Sequence, residues 1–375
     1  MVLAGRRSGF VVHSGTNMTV TGAENSRVTL AISIGCPGGI GPEVTMAALL
    51  KPSPDRIPVL YGDLRLLRER ASAVGFDPER LISLRSATEA RALAENQVGV
   101  VACADPLDDA SRAPGRNTPR GGSAQLAWID AACDAVRAGE ADALVTAPAS
   151  KDAIARALPS TPESRAFRGH TEHLGARLGG VDTVMAFVAE RLTISLATTH
   201  VPLGEVARVL RPDDVALAAY WTCRLVDELG VDAALPIAIL SLNPHAGEAG
   251  LLGDEERTKI DPGIAAARAR LLSEGRMRAL VGPIPAESAI RTAVHAKTFA
   301  ACVAMYHDQA TIPSKLVSFG DAVNVTLGLP IVRTSVDHGT AYDLAGTGRA
   351  DAGGMRAALD LAVRLARSES RSLTP

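Results

Sequence analysis

The sequence predicts an α/β protein, and three observations carry that prediction. From Arg27 onward, short apolar runs alternate with stretches whose apolar residues recur at three and four, the pattern of strands and amphipathic helices in turn. The 375 residues suffice for one large or two medium domains with sizeable cores. Hydrophobic residues make up 47% and charged residues 21%, the balance of an ordinary globular protein.

In chain order, the first strand is expected at 28–34 (VTLAISI), followed by the turn GCPGGIGPE (35–43) and a helix opened by Pro42. The turn does not match GxGxxG, so it carries no dinucleotide signal of its own. Apolar runs at 58–61 and 98–103 read as strands. Residues 104–121 (DPLDDASRAPGRNTPRGG) read as a long surface loop or domain crossing. A helix is expected over 122–139 and a strand over 143–148. Strands at 183–189, 193–199 and 236–242 come next, with the helical stretch 215–230 among them. Strands at 299–306, 323–327 and 331–335 precede a closing helix over 354–368. Residues 1–28 read as a disordered-like tail without a long h-region, so no signal peptide is expected, and Met18 is an alternative start.

Charge and composition remove several function classes. A formal net charge of −2 argues against a nucleic-acid partner. No apolar run reaches the roughly 18 residues of a membrane span. The five cysteines (Cys36, Cys103, Cys133, Cys223, Cys302) have no CxxC spacing and are odd in number, which reads as free thiols in a reducing compartment, the cytoplasm. Lysine is rare: Lys51, Lys151, Lys259, Lys297 and Lys315 are the full set. In so arginine-biased a chain, Lys151 and Lys315 mark places where a compact ammonium serves.

Ligands in open α/β sheets bind beyond the carboxyl ends of strands, so the residues that follow each strand carry the functional argument. The strand 143–148 runs into Ser150 and Lys151, 193–199 into His200, 236–242 into His245, and 299–306 into His307 and Asp308. Each histidine alone reads first as a loop cap. Three imidazoles at one edge with an open fourth position suit zinc or a similar divalent metal. In RGHTEHLG (168–175), His170 and Thr171 stand at a helix start, either facing an anion or with Thr171 as a simple N-cap; His173 reads as surface. Arg333, in an apolar strand, needs an anionic partner, either a ligand or an internal aspartate.

Taken in order, GPEV, RGHTEHL, ATTHVPL, LNPHAGE, AMYHDQ and VNVTLGLPIVRTSVDHGTAYDLAG closely resemble the motifs of the 4-hydroxythreonine-4-phosphate dehydrogenase family, over about residues 29 to 360. HGTAYDLAGTGRAD is also similar to the adenosine-binding loop of the isocitrate and isopropylmalate dehydrogenases. The resemblance implies a two-domain α/β fold of the isocitrate/isopropylmalate dehydrogenase type, with the active site in the interdomain cleft. The first domain would comprise 29–145 plus 315–375, and the second 146–314. It implies a homodimer whose sites both subunits build, and a small phosphorylated hydroxy or amino acid substrate. The expected metal ligands are His200, His245 and His307. Substrate contacts are expected from His170, Thr171, Lys315, Asn324 and Arg333, and cofactor contacts from His338, Gly339, Thr340, Ala341 and Asp343. Lys315 and Asp308 are the expected catalytic residues, unless Asp308 only orients a ligand. The cofactors implied are NAD or NADP and one divalent metal ion, zinc first, with cobalt, manganese or magnesium as alternatives.

The implied reaction oxidises 4-hydroxythreonine 4-phosphate and decarboxylates the β-keto acid product, in pyridoxal phosphate biosynthesis. Three departures point instead toward threonate or erythronate 4-phosphate: Cys36 and Glu287 stand where aspartates are usual, and GEAGLLG lacks a histidine. ATIPSKL after HDQ points the same way. The three histidines alone also permit a metal-dependent phosphate-ester hydrolase, and the cations alone a non-catalytic binder of phosphorylated acids.

Overall fold

The expected alternation folds into one twelve-stranded sheet in the computed structural model, which describes residues 27–368 apart from 181 and 319. The tail expected at 1–28 lies, up to residue 26, outside the described residues. In chain order the strands are β1 (Val28–Ser33), β2 (Arg56–Tyr61), β3 (Leu81–Leu84), β4 (Val98–Val101), β5 (Ala143–Thr146) and β6 (Val184–Val188). Then come β7 (Thr193–Leu196), β8 (Ile237–Leu240), β9 (Leu280–Ile284), β10 (Ala301–Ala304), β11 (Val323–Leu327) and β12 (Val332–Val336). Their order across the sheet is β3-β4-β2-β1-β5-β12-β11-β6-β7-β10-β8-β9.

Two parallel blocks meet in the middle of this sheet. Strands β3 to β12 in that order are parallel, as are β7, β10, β8 and β9. Between them the pairings β12–β11, β11–β6 and β6–β7 are all antiparallel. Three reversals leave the second block running opposite to the first. The histidine-bearing strands β7, β10 and β8 therefore share one edge, as expected, while β5 and β12 end toward the other. Residues from both ends converge over the sheet face where the blocks join.

The ten expected strands are all present, and the two additions, β3 and β9, form the two edges. The expected helices appear as Pro119–Arg137, Pro212–Glu228 and Gly353–Arg367. The loop expected over 104–121 is shorter than predicted. It holds a helical turn, Asp109–Arg112, and loses its end to the long helix, where Thr118 accepts the Gly121 N–H at 3.0 Å with Pro119 next to it. A Thr-Pro pair is a strong helix start, because the hydroxyl satisfies an amide and proline has none to satisfy.

The closing helix buries Met355, Ala358, Leu359, Ala362 and Leu365 against the first block. At about 1.5–3 kcal/mol for each large apolar side chain removed from water, such faces hold the layers together. A smaller apolar cluster, including Phe187, Ile194, Leu196, Leu240 and Ala304, packs under helix Ala286–His295. All five cysteines are free, and burial pushes the Cys302 thiol up to about 12. Among the described residues, no helix is long and apolar enough to cross a membrane.

Candidate active site

Strand alternation explains why one face of the central strands becomes a site. On β12, Arg333 and Ser335 point to one face, as do Asn324 and Thr326 on β11 and Met185 and Phe187 on β6. Register places Asn324 opposite both Ser335 and Phe187, so these side chains lie side by side. Most of them line a cavity of about 270 Å³, to which Lys151, His170, Thr171, Glu172, His200, His307, Asp337 and His338 also contribute.

Arg333 is the floor of this cavity. It is 2% exposed, and its guanidinium donates to Thr146 Oγ1 at 2.7 Å, Thr326 Oγ1 at 2.8 Å and Asn324 Oδ1 at 3.3 Å. No carboxylate pairs with it among the described residues, so the alternative of an internal aspartate fails. Burial pushes the guanidinium down to about 9, with distant Glu172 opposing. A buried cation held only by neutral oxygens is a strong demand for an anion.

Three buried polar atoms around the cavity have no hydrogen-bond partner: Arg333 Nε, His170 Nε2 and His338 Nε2. Buried polar groups are rarely left so. Burial, reinforced by the Arg333 charge, holds the His170 imidazolium well below its ordinary range, so the ring is neutral. Thr171 is not an N-cap. Its hydroxyl pairs with Thr326 Oγ1 at 3.2 Å, while Gly169 opens the helix His170–Arg177. His173, expected at the surface, is half-buried, with its side chain 8% exposed, and pairs with Asp130 at 2.6 Å, because the long helix packs over that face.

The structure brings two of the three expected metal ligands together. His200 and His307 have ring centroids 5.7 Å apart. Glu172 Oε1 lies 3.2 Å from His200 Nδ1, and Asp308 Oδ1 lies 2.7 Å from His307 Nδ1. Each carboxylate fixes a hydrogen on Nδ1 and leaves Nε2 as a lone-pair donor, the arrangement that carboxylate–histidine–metal sites use. The donor set therefore fits a borderline divalent cation. His245 follows the adjacent β8 but lies outside the cavity, exposed, in a run of five left-handed residues from His245 (φ 53°) to Ala249 (φ 57°). Among the described residues, no group of three or more His, Cys, Asp or Glu side chains is placed to hold a metal ion.

Lys315 lies on helix His307–Val317, with Nζ 3.5 Å from Asp337 Oδ2 and 3.4 Å from the Asp337 carbonyl. Burial raises the Asp337 carboxyl, and Lys315 opposes that shift. Asp337 lines the cavity, and Lys315, outside the lining, is tied to it through Asp337. Beyond it, the loop 338–348 presents Gly339 with open space where a Cβ would stand, and Ala341 in a left-handed conformation (φ 39°). Nothing in the sequence marks Glu172, Thr146, Thr326 or Asp337, and Lys151 is marked by its place after the strand 143–148 and by the scarcity of lysine.

The family model of the pyridoxal phosphate biosynthetic protein PdxA matches residues 55–362. The chain belongs to the PdxA family. It is 40% identical over 342 residues to a 4-hydroxythreonine-4-phosphate dehydrogenase of Desulfosudis oleivorans, covering 90% of this chain and 96% of the relative. A Burkholderia vietnamiensis protein of the same name is 43% identical over 351 residues, covering 92% and 98%. The crystal structure of the Klebsiella pneumoniae 4-hydroxythreonine-4-phosphate dehydrogenase superposes with a TM-score of 0.76 at 31% identity, covering 91% of this chain and all of that one. PdxA membership bears out the resemblance read from the motifs, and the α/β class with it. The two departures at Cys36 and Glu287 do not touch the PdxA cavity. Cys36 is buried against Tyr342, with Sγ 3.4 Å from the hydroxyl, and Glu287 is exposed on helix Ala286–His295.

Proposed function

We propose that this PdxA-family chain oxidises 4-hydroxythreonine 4-phosphate with NAD or NADP and a divalent metal, and decarboxylates the β-keto acid product. The observation that carries the reading is Arg333: a buried guanidinium without a carboxylate, beside unpartnered His170 and His338 nitrogens, on one cavity with the His200–His307 pair.

When bound, a divalent cation supplies Lewis acidity toward a substrate hydroxyl, and the nicotinamide accepts a hydride. His200 and His307 would hold that cation, each oriented by its carboxylate, Glu172 and Asp308 respectively. His245 would complete the set when two subunits assemble, since it is exposed on its own chain. Exposed Leu251, Leu252, Ile312 and Leu316 (82, 47, 59 and 80% accessible) stand on the segments that carry His245 and follow His307, and suit burial between subunits. Arg333 and Lys315 bind the anionic ends of the substrate, with His170, Thr171 and Asn324 as hydrogen-bond partners. Lys151, whose ammonium has no hydrogen bond or ion pair among the described residues, lines the same cavity as a further cation. His338, Gly339, Thr340, Ala341 and Asp343 offer the adenosine side of the cofactor an open backbone face. The division into a first domain of 29–145 with 315–375 and a second of 146–314 stays a proposal, which the two oppositely directed parallel blocks support. The five free thiols accord with a cytoplasmic setting.

The test is an assay of nicotinamide absorbance against phosphorylated hydroxy and amino acids with added metals. Turnover of 4-hydroxythreonine 4-phosphate that chelation abolishes supports the reading. Release of inorganic phosphate without nicotinamide reduction would overturn it in favour of a phosphate-ester hydrolase.

A further inference from the structure

The turn 35–43, which carries no nucleotide signal by its spacing, is packed against the loop 338–348 from behind. Ile40 N–H donates to the Thr340 carbonyl at 2.9 Å. A Cβ on Gly39 would stand 2.8 Å from the same carbonyl oxygen, so only glycine allows this approach. Four residues on, Glu43 sits in the first turn of helix Gly41–Ala48 and is 1% exposed. Its carboxylate accepts the Gly346 N–H at 2.6 Å on Oε1 and the Gly348 N–H at 3.3 Å on Oε2. Arg70, itself 6% exposed, donates to Oε1 at 3.3 Å and to the Arg112 carbonyl at 2.7 Å.

The two loop glycines are in left-handed conformations, φ +81° at Gly346 and +67° at Gly348. A Cβ on Gly348 would fall 1.9 Å from the Ala73 carbonyl oxygen. Backbone amides that converge around left-handed residues form a concavity that binds anions. Here the protein fills that concavity with its own carboxylate. The amides of Gly346 and Gly348 are therefore spent internally, and the loop is held with its other face outward. That outward face carries Gly339, with open space at its Cβ position.

We infer that Glu43 is a positioning residue for the cofactor loop: by occupying the Gly346–Gly348 amides it fixes 338–343 in the open-faced form that takes adenosine. The inference rests on the reading that this loop binds the nicotinamide cofactor. Ion pairing with Arg70 alone would have needed no loop amide, whereas both carboxylate oxygens reach into the loop.

The experiment compares Glu43→Gln with Gly339→Val in the full-length, metal-loaded protein. Glutamine keeps the volume, but its amide nitrogen faces N–H donors and its oxygen can serve only part of the set. Cofactor Kd is measured by calorimetry, substrate Kd and metal content separately, and amide hydrogen exchange at residues 346 and 348 by mass spectrometry. Expected for Glu43→Gln are at least tenfold faster exchange at those amides and at least tenfold weaker cofactor binding, with substrate Kd and metal content within twofold of wild type. Glu43→Asp, which keeps the charge but retracts it, should fall between. Unchanged cofactor Kd in Glu43→Gln despite faster exchange overturns the positioning role, as does unchanged exchange. Gly339→Val meets no protein atom, so an unchanged cofactor Kd there would instead show that the loop is not the cofactor site. Should Glu43→Gln not fold, Glu43→Gln/Arg70→Met removes the stranded guanidinium and carries the same expectations.

Discussion

His200 and His307 face one another with ring centroids 5.7 Å apart, and each turns Nδ1 to a carboxylate. This relationship joins two parallel neighbours, β7 and β10, whose ends are brought into register by the pairing of Ala304 with Leu196. Two lone pairs on one side of the cavity make half of a tetrahedral site.

The first prediction follows from that pair. His200→Ala and His307→Ala should each lose stoichiometric divalent metal while keeping wild-type circular dichroism, because both rings are partly exposed and support no core. Asp308→Asn should weaken metal affinity about tenfold to a hundredfold, the usual cost of losing an orienting partner. His245→Ala should lose metal too, and its loss should track dissociation of dimers in dilution experiments. Metal retained at full occupancy in both His200→Ala and His307→Ala would place the site elsewhere.

Arg333 gives the second. Removing the partner of a desolvated anion costs about 2–5 kcal/mol, so Arg333→Met should lower kcat/KM by at least about thirtyfold, which corresponds to roughly 2 kcal/mol. The same residue sets a stability signature. Burial depresses its folded-state pKa to about 9, well below the ordinary guanidinium range. The unfolded chain therefore holds the proton more tightly, and the penalty is complete below about pH 9. It is relieved as pH rises from there. Ligand-free wild type should thus gain stability relative to Arg333→Met between pH 8 and pH 10 in denaturant titrations. A saturating phosphorylated acid should flatten that difference, because an anion beside the guanidinium removes the penalty.

Much of this architecture was legible in the sequence, and what was not has a physical reason. Most of the ten expected strands, such as β1, β2, β4 and β10, are buried and read as short apolar runs. The two unexpected ones are the edges: β3 (LISL) is half-exposed, and β9 (LVGPI) carries a glycine and a proline that edge strands tolerate. The strand-end histidines were legible because each interrupts an apolar run. Thr146 and Thr326 were not, since a threonine inside a strand looks like any β-branched filler until Arg333 is seen against it. Glu43 was hidden for another reason. Its partners Gly346 and Gly348 lie some three hundred positions away, and sequence spacing carries no trace of such a contact.

His170 supplies the third prediction. Burial beside Arg333 holds its ring neutral, with a folded pKa well below the ordinary 6.5. The unfolded chain gains a proton as pH falls through about 6.5, while the fold refuses it, so stability should decline below that pH. His170→Asn should reduce this acid-side decline, read as the slope of unfolding free energy between pH 7 and pH 5. An imidazole of His170 titrating near 6.5 in the ligand-free protein by NMR would contradict it.

The last prediction concerns substrate choice. 4-Hydroxythreonine 4-phosphate and threonate 4-phosphate differ at one carbon, an ammonium against a hydroxyl. The cavity contains two carboxylates, Glu172 and Asp337, beside its cations. Glu172 is held below the usual carboxylate range, chiefly by its hydrogen bond to His200, so it carries its charge at neutral pH. Hydrogen bonds to charged groups contribute about 1.5–3 kcal/mol, against about 1 for neutral pairs, and an ammonium near either carboxylate would draw on the larger figure. Cys36 and Glu287, the departures that favoured the hydroxy acids, stand outside the cavity and cannot read that carbon directly. The amino acid phosphate should therefore be preferred by at least about tenfold in kcat/KM, roughly 1.4 kcal/mol, when the two compete for one enzyme. Glu172→Gln or Asp337→Asn should narrow that ratio, whichever carboxylate lies nearer the ammonium. A hundredfold preference for threonate or erythronate 4-phosphate would reassign the substrate, while the metal pair and the Arg333 anion site would stand unchanged.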